Sequence, residues 1–548
     1  MSYLVRSNAL LRNMVCLLAF LHWAAPALAE IEANSVELGH QIYTDGILPT
    51  GEPMTGIVSG DVEIAGDFVI CGRCHRRSGL GSLEGTSVVP VVVGSVLYED
   101  LMLPTSRPPL PPVQRPAYTR ETLARSIRDG ISSTGEEFSV LMPRYELSDE
   151  AMDNLLDYLE SLSMEPDPGV TETDIHFATI LDDSVSESQR KALLDVLTVF
   201  FEQKNTETRY ETKRKDSGPW HKDWNFKPYR KWVLHVWDLS GPQSDWPEQL
   251  RSYYDRQPVF AVLNGMVAGS WQPIHDFCEG QELPCVFPTT NLPVIDESAF
   301  YSVYFSKGIS LEANVLAEYL NKQQEARPHP IQVYRSGDPL GETAAAEFEK
   351  RFGAATTRFA LPGEVDAFRN AYRKSQDPIV AWLGQEDLRD VLASELADES
   401  RAPIYLSSSF IESSQQIPDV LQQANTFVVF TSALPSEWRR LLMRSTGWLR
   451  AKRIYSAEDQ LIQANAYFAL KIAGGSLSFI HTYFSREYFL ESIEHMIDNA
   501  IYTSIYSHLS LAPEQRFVSK GGLIAGFDST ANDKLIAVSD WLVPDIND

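Results

Sequence analysis

The sequence predicts a chain of two parts, an all-α domain followed by a two-lobed α/β region. Before residue 165, apolar residues recur at helical spacing. The run 164–169 contains two prolines and a glycine, which break helices and are typical of a linker. After this run, short apolar strands alternate with amphipathic helices, and the alternation begins again after Arg327. Such a repeated alternation indicates two lobes, each built on a parallel sheet.

Length and charge limit the classes of function. A chain of 548 residues suggests two or three compact units. The net charge of -27 argues against nucleic-acid binding, because lysine and arginine drive contacts to phosphates. The same acidity suits a soluble periplasmic protein and would steer a basic redox partner toward it.

The amino terminus is typical of a secretory signal, which we place at residues 1–29. Arg6 and Arg12 precede an apolar run at 14–25, and small residues at 27–29 are typical of a cleavage site. The apolar run is shorter than the ~20 residues that a membrane-spanning helix needs. We therefore expect export to the periplasm and no membrane span in the mature chain.

The most informative motif is Cys-Gly-Arg-Cys-His at residues 71–75. Two intervening residues let both thiols reach the two vinyl groups on one haem edge, while the adjacent imidazole turns toward the iron. The motif therefore predicts one covalent haem c, attached through Cys71 and Cys74, with His75 as an axial iron ligand. Covalent haem attachment in bacteria takes place outside the cytoplasm, in agreement with the signal segment.

Two other interpretations of this motif are a zinc half-site and a redox dithiol. Structural zinc takes four ligands, and no second cysteine pair lies near in the sequence. A redox dithiol would need a βαβ context, which residues 60–77 do not offer.

The chain has five cysteines, of which Cys16 leaves with the signal. Once two are assigned to haem, Cys278 and Cys285 remain. In an oxidising compartment we expect them to form a disulfide, whose short loop would contribute about 2 to 3 kcal/mol. Two free buried thiols are the alternative.

Three helices are expected in the first domain. The first spans 36–43 and contains Gly39, the second runs from Thr119 to Gly130, and the third begins after Ser148. Serine and threonine are favoured helix N-caps, and glycine commonly ends a helix.

With these helices the first domain resembles class I cytochromes c, whose first and last helices cross near a glycine and aromatic residues. Gly39, Tyr43 and Tyr158 match those roles. Pro90 resembles the proline whose carbonyl group orients the proximal imidazole. The chain departs from the family at 46–68, where a glycine-rich insertion is expected to form a hairpin over the haem edge.

The segment 141–145, Leu-Met-Pro-Arg-Tyr, resembles the distal-ligand loop of the same family. The resemblance implies that Met142 is the second axial ligand. Met54, Met102 and His40 are competing ligands, and a role for Met142 as a core gap-filler is also open. Iron with two axial ligands has no open coordination position, so the resemblance implies an electron carrier and not an enzyme.

The α/β region resembles type I periplasmic solute-binding proteins of the branched-chain amino-acid class. The segments that carry the resemblance are 258–265, 285–290 and 301–308. The expected divisions of the whole chain are a signal at 1–29, a cytochrome c domain at 30–165, a linker at 166–174, and a periplasmic-binding-like domain at 175–548 with lobes at about 175–326 and 327–548.

In such folds the ligand lies at the carboxyl ends of the strands, between the lobes. Thr289 and Thr290 are the first candidates, because hydroxyl groups and free backbone amides at strand ends can hold a carboxylate. Asn264 and Asp182 are further candidates at neighbouring strand ends. Ordinary turn chemistry would explain the same residues equally well. Asp183, Gly265 and Tyr334 are further candidate liners. The basic aromatic stretch 213–232, with Trp220, His221, Trp224 and Arg230, could stack on and pair with an anion, or form a solvated flap.

Together these features predict a periplasmic monohaem c-type cytochrome that transfers electrons. Its second domain would bind a small solute or dock a periplasmic dehydrogenase, with a quinone-cofactor dehydrogenase as the candidate electron donor. The alternative is a periplasmic ligand receptor or sensor in which the haem domain reports or responds to solute binding.

Overall fold

A computed structural model describes most of the chain in two compact units. The first contains Met1–Pro166 with Tyr483–Tyr488, and the second contains Asp167–Thr482 with Phe489–Asp548. The division falls beside the linker expected at 166–174. The described residues are 34–59, 61–84, 87–103, 113–215, 230–323, 329–353, 356–392, 402–411, 422, 425–480, 483–499, 504–511, 515–528 and 534–544. The expected signal at 1–29 lies outside them.

In its described residues, the first unit has the three expected α-helices and two short ones. Thr119 caps the second long helix: its hydroxyl accepts from the amide of Thr122, and the Thr122 side chain caps the Thr119 amide in return. Gly130 ends that helix with a φ of +70°. The Ser148 hydroxyl accepts from the amide of Ala151 and so begins the last helix. The helices are α1 (34–44), α2 (Cys71–His75), α3 (Gly94–Leu97), α4 (Arg120–Asp129) and α5 (Asp149–Ser161).

The first unit is not all-α, which corrects the expected fold class. The insertion at 46–68 forms a hairpin, and its first strand also pairs with the two residues that follow Pro143. Strands of two to four residues carry almost no periodic signal, so the helical stripes dominated the sequence pattern. The strands are β1 (Thr55–Val58), β2 (Val62–Ala65), β3 (Ser82–Glu84), β4 (Ser87–Val89), β5 (Leu101–Leu103), β6 (Val113–Arg115) and β7 (Arg144–Tyr145).

The core of the first unit forms where α1 crosses α5. A Cβ atom on Gly39 would lie 2.0 Å from the Asn154 carbonyl oxygen and 2.7 Å from the Tyr158 Cβ. Only glycine permits this approach of the two backbones. The rings of Tyr43 and Tyr158 pack beside the crossing with their centroids 5.2 Å apart. Gly39, Tyr43 and Tyr158 thus come together at this one helix crossing.

The first lobe of the second unit is built on five parallel strands in the order β12-β11-β10-β8-β9. Numbered from the first strand of the lobe, this is the 2-1-3-4-5 order of a doubly wound sheet. The strands are β8 (Asp174–Asp182), β9 (Lys231–Leu239), β10 (Ala261–Leu263), β11 (Cys285–Val286) and β12 (Ser302–Val303). The helices between them are α6 (Glu187–Lys215), α7 (Trp246–Arg256) and α8 (Gln272–Gly280).

The second lobe repeats the same order with β14-β13-β15-β16-β17 and adds two antiparallel strands beside β17. Its strands are β13 (Ile331–Arg335), β14 (Thr357–Leu361), β15 (Ile379–Trp382), β16 (Ile404–Ser407), β17 (Thr426–Phe430), β18 (Leu523–Asp528) and β19 (Lys534–Ala537). The remaining helices are α9 (Gly308–Lys322), α10 (Pro339–Phe352), α11 (Val365–Lys374), α12 (Gln385–Asp387), α13 (Pro435–Leu441), α14 (Met443–Lys452), α15 (Gln460–Ile480) and α16 (Arg486–Asn499). Among the described residues, no helix is long and apolar enough to cross a bilayer.

The two lobes exchange segments, so the expected boundary near 326 does not separate them. On α9, Leu316 and Leu320 are buried in one core with Phe348 of α10. On α15, the Phe468 ring packs against Phe287 and Phe305 of the first lobe. The chain therefore enters the second lobe before α9, returns to the first with α15, and ends on the second sheet. An amphipathic stripe predicts a buried face but does not tell which sheet the face covers.

Candidate functional sites

The motif at 71–75 forms helix α2, and its histidine is buried and hydrogen-bonded. His75 is 7% exposed, and its Nδ1 lies 2.9 Å from the carbonyl oxygen of Pro90. A carbonyl oxygen can only accept, so Nδ1 carries the proton and Nε2 keeps the lone pair that a metal requires. Burial lowers the pKa of His75, and the hydrogen bond to Pro90 opposes this more weakly. The imidazole is therefore held neutral and oriented.

The burial of Cys71 argues against a redox dithiol on α2. Cys71 and Cys74 form no disulfide. Burial raises the pKa of the Cys71 thiol to about 12. A redox-active dithiol instead needs a thiol whose pKa is lowered, because the thiolate is the reactive form. Within the described ranges no group of three or more histidine, cysteine, aspartate or glutamate side chains is arranged so that it could hold a metal ion.

The loop that carries Met142 lies against the segment that leads into α2. The Tyr145 hydroxyl donates to the Val69 carbonyl oxygen at 2.7 Å and also lies within hydrogen-bonding reach of the Cys71 thiol. A Cβ atom on Gly56 would touch both Pro143 and Val69, at 3.1 and 3.2 Å. The fold thus places the residues after Met142 beside the Cys-Gly-Arg-Cys-His motif, and the ligand role of Met142 stays a prediction.

The competing ligands have other surroundings. Met54 is fully buried in the core of the first unit. The Nε2 atom of His40 lies 3.3 Å from an Arg77 guanidinium nitrogen, which donates to it, and burial together with Arg77 lowers the pKa of His40. The side chain of Met102 lies outside the described residues.

Cys278 and Cys285 are joined by a disulfide in the first lobe, with their Cα atoms 6.2 Å apart. Both residues are buried in the core beneath α8. The bond ties the end of this helix to the start of β11.

A cleft of about 540 Å³ opens at the carboxyl ends of the strands in the second unit. Residues of both lobes line it, including Thr289 and Ser306 from the first and Ser408 and Thr431 from the second. Ligand sites in doubly wound sheets lie at this edge, and their volumes commonly fall between about 300 and 1,000 Å³. The cleft is therefore the candidate ligand site.

Of the predicted ligand residues, Thr289 and Thr290 line this cleft. The Thr289 hydroxyl oxygen is buried and has no hydrogen-bond partner among the described residues. The Thr290 hydroxyl oxygen accepts from the amide of Leu292 at 3.0 Å. Both threonines are thus placed as the sequence predicted, at the end of β11.

Asp182 and Asn264 lie at neighbouring strand ends but do not line the cleft. The Asp182 carboxylate accepts from the hydroxyl of Ser184, which does line it, at 2.7 Å. Asn264 is 1% exposed with a φ of +59°, and neither amide atom has a partner in the described residues. These two residues therefore lie behind the residues that line the cleft. Asp183, Gly265 and Tyr334 also stand outside the lining.

Most of the basic aromatic stretch, with Trp220, His221 and Trp224, lies outside the described residues. Arg230 is buried, and its Nε donates to the Thr171 carbonyl oxygen at 2.5 Å. This arginine therefore holds the entry to β9 in place.

Sequence reasoning missed the most strongly hydrogen-bonded group of the cleft, the carboxylate of Glu312. Glu312 is 1% exposed and accepts from the hydroxyl groups of Ser407, Ser408 and Ser409. Burial raises the pKa of Glu312, and the serine hydrogen bonds partly oppose that rise. The serine triplet after β16 is visible in the sequence, but its partner lies 95 residues earlier, inside an amphipathic helix.

No protein-family model and no curated protein matches the chain. Among solved structures, it is similar to a fatty acid ABC transporter substrate-binding protein from Thermomonospora curvata, with 15% identity over 69% of this chain and 95% of that one, at a TM-score of 0.45. It is similar to a leucine-binding protein from Thermotoga maritima, with 11% identity over 68% and 99% and a TM-score of 0.48. It is also similar to a solute-binding protein from R. palustris in complex with benzoate, with 9% identity over 68% and 98% and a TM-score of 0.46. These similarities are weak, and the two-lobed α/β fold of the second unit rests on its own sheet order.

Proposed function

We propose that this chain is a periplasmic solute-binding protein that carries one covalent haem c. The observation that carries the first half of the proposal is the cleft of about 540 Å³ between two sheets of the same strand order. Its wall combines hydroxyl groups with apolar side chains such as Phe430 and Trp438. Mostly apolar concave sites with a few placed polar groups are typical of small-molecule binding.

The second half of the proposal is supported by the geometry of His75. The Pro90 carbonyl fixes the imidazole with Nε2 free to bind iron, Cys71 and Cys74 stand on the same short helix, and Gly39 permits the crossing of α1 and α5. A bound haem supplies a one-electron couple between ferric and ferrous iron. In this proposal His75 and Met142 hold the two axial positions, and an acidic chain of net charge -27 meets a basic periplasmic dehydrogenase as its electron donor.

One preparation tests both halves. The chain is produced in a host that attaches haem c in its periplasm, and the purified protein is examined for haem that survives denaturation. We expect one haem per chain in the natural sequence and none in Cys71→Ser/Cys74→Ser. Haem that is retained by the double variant would contradict covalent attachment at these thiols.

Calorimetric titration of the same protein with a panel of amino acids, small alcohols, amines and aromatic acids tests the cleft. We expect saturable binding of at least one member with one site per chain. A flat response to the whole panel would contradict solute binding.

A further inference from the structure

The cluster of Glu312 with Ser407, Ser408 and Ser409, here called the serine cluster, has an unusual distribution of protons. The Ser408 and Ser409 hydroxyl groups donate to one carboxylate oxygen of Glu312 at 2.7 and 2.8 Å. The Ser407 hydroxyl and, at 3.5 Å, the amide of Ser409 donate to the other oxygen. The carboxylate, which can only accept, is thus surrounded by donors.

A serine hydroxyl has one proton and two lone pairs. In the serine cluster the protons of Ser408 and Ser409 are directed at Glu312. What these two hydroxyl groups can still offer is acceptor capacity, and both residues line the cleft. The second-lobe wall therefore presents hydrogen-bond acceptors at this point.

The opposite wall has the reverse polarity. The Thr290 oxygen already accepts from the amide of Leu292, so its hydroxyl proton is available to donate. The buried Thr289 hydroxyl has no partner among the described residues and also keeps its proton. The first-lobe wall thus carries hydroxyl groups that can donate, and it lines the same cleft as Ser408 and Ser409, whose hydroxyl groups can only accept.

We infer that the serine cluster makes the second-lobe wall selective for a hydrogen-bond donor, an ammonium group above all, and turns carboxylates away from it. This inference rests on the proposed solute-binding function and names the ligand class at one end of that site. Ser408 and Ser409 would contact the ligand, while Glu312 acts through them as a positioning residue. Where Glu312 is ionised, its negative charge also favours a cationic group, because hydrogen bonds between charged partners are the stronger ones.

The inference is tested on the full chain with three probes that share a phenylethyl skeleton. Phenethylamine, 2-phenylethanol and 3-phenylpropionate differ only in the head group, and the apolar wall with Trp438 accepts their common ring. We expect phenethylamine to bind at least about tenfold more tightly than 3-phenylpropionate, the difference typical of one hydrogen bond to a charged group.

The decisive variant is Glu312→Gln. A carboxamide donates from its nitrogen, so at least one serine oxygen must accept and its hydroxyl proton is released toward the cleft. We expect the preference for the amine over the carboxylate to fall by about tenfold or more. The matched control is Glu297→Gln, which removes an equal charge from an exposed residue outside the lining of the cleft. This control should keep the order of the three probes.

Ser408→Ala provides a second route, since it removes an acceptor without touching the buried carboxylate. It should weaken phenethylamine binding while 3-phenylpropionate binding changes little, and it keeps the test decisive where Glu312→Gln does not fold. An equal loss of preference in Glu297→Gln would assign the effect to net charge and overturn the inference. Tighter binding of 3-phenylpropionate than of phenethylamine by the natural protein would overturn it as well, while solute binding would stand. If none of the three probes binds, the inference is overturned. The proposed function is overturned as well only if no member of the wider calorimetric panel binds.

Discussion

At the scale of single residues, two buried side chains are held by hydrogen bonds to backbone and hydroxyl partners. His75 is kept neutral by burial and is oriented by the Pro90 carbonyl. Glu312 is held in place by three serine hydroxyl groups. The sequence motif predicted the first, because Cys-x-x-Cys-His is a local pattern. The second could not be predicted, since the contact joins residues 95 positions apart.

The raised pKa of Glu312 predicts a pH dependence of stability. A carboxyl group whose pKa is raised by folding stabilises the folded state below its ordinary pKa, and this contribution is lost as the pH rises through the folded-state value. The ordinary value is 4.5, and the folded value lies above it. We expect the unfolding free energy of the natural protein, minus that of Glu312→Gln, to decrease as the pH is raised from about 4.5.

Urea unfolding at a series of pH values measures this difference. Subtracting the unfolding free energy of the variant removes the contributions of all other titrating groups, because both proteins share those groups. A difference that increases with pH would show that the serine hydrogen bonds outweigh burial and would contradict the raised pKa.

At the scale of elements, the positions of the helix ends in the first unit follow from the local sequence. Thr119, Gly130 and Ser148 mark the helix ends where the sequence placed them. The sequence predicted that the insertion at 46–68 forms a hairpin, which is the hairpin of β1 and β2. It did not predict that this hairpin pairs with β7. Strand partners are set by contacts distant in sequence, whereas helix caps are satisfied within four residues.

The crossing of α1 and α5 predicts that Gly39→Ala destabilises the first unit. The added Cβ would stand 2.0 Å from the Asn154 carbonyl oxygen, so the two helices must separate. Overpacking of this kind typically costs about 1 to 3 kcal/mol of unfolding free energy.

The matched control for this change is Gly447→Ala on α14, where an added Cβ meets nothing within 4 Å. Alanine favours a helix over glycine by about 0.5 to 1 kcal/mol, so the control should be neutral or stabilising. Thermal unfolding of both variants gives the comparison. Equal stability of Gly39→Ala and the natural protein would contradict the close crossing.

At the scale of the whole molecule, the second unit repeats one strand order in two lobes and places a cleft at the strand ends. The sequence predicted both sheets and put Thr289 and Thr290 at the correct edge. It missed the exchange of α9 and α15 between the lobes, because a helical stripe does not identify the sheet that it covers. The residues that face Thr289 across the cleft, including Ser408, therefore escaped prediction.

The most direct test of the central claim is calorimetric binding of the tightest panel member to the natural chain and to Thr289→Val. Valine keeps the shape of threonine but removes the buried hydroxyl group, whose oxygen has no protein partner among the described residues. A cleft that binds solute predicts one site per chain and about five- to tenfold weaker binding in the variant, the effect of one lost hydrogen bond. Identical affinities in the two proteins would contradict the placement of the ligand at the carboxyl end of β11.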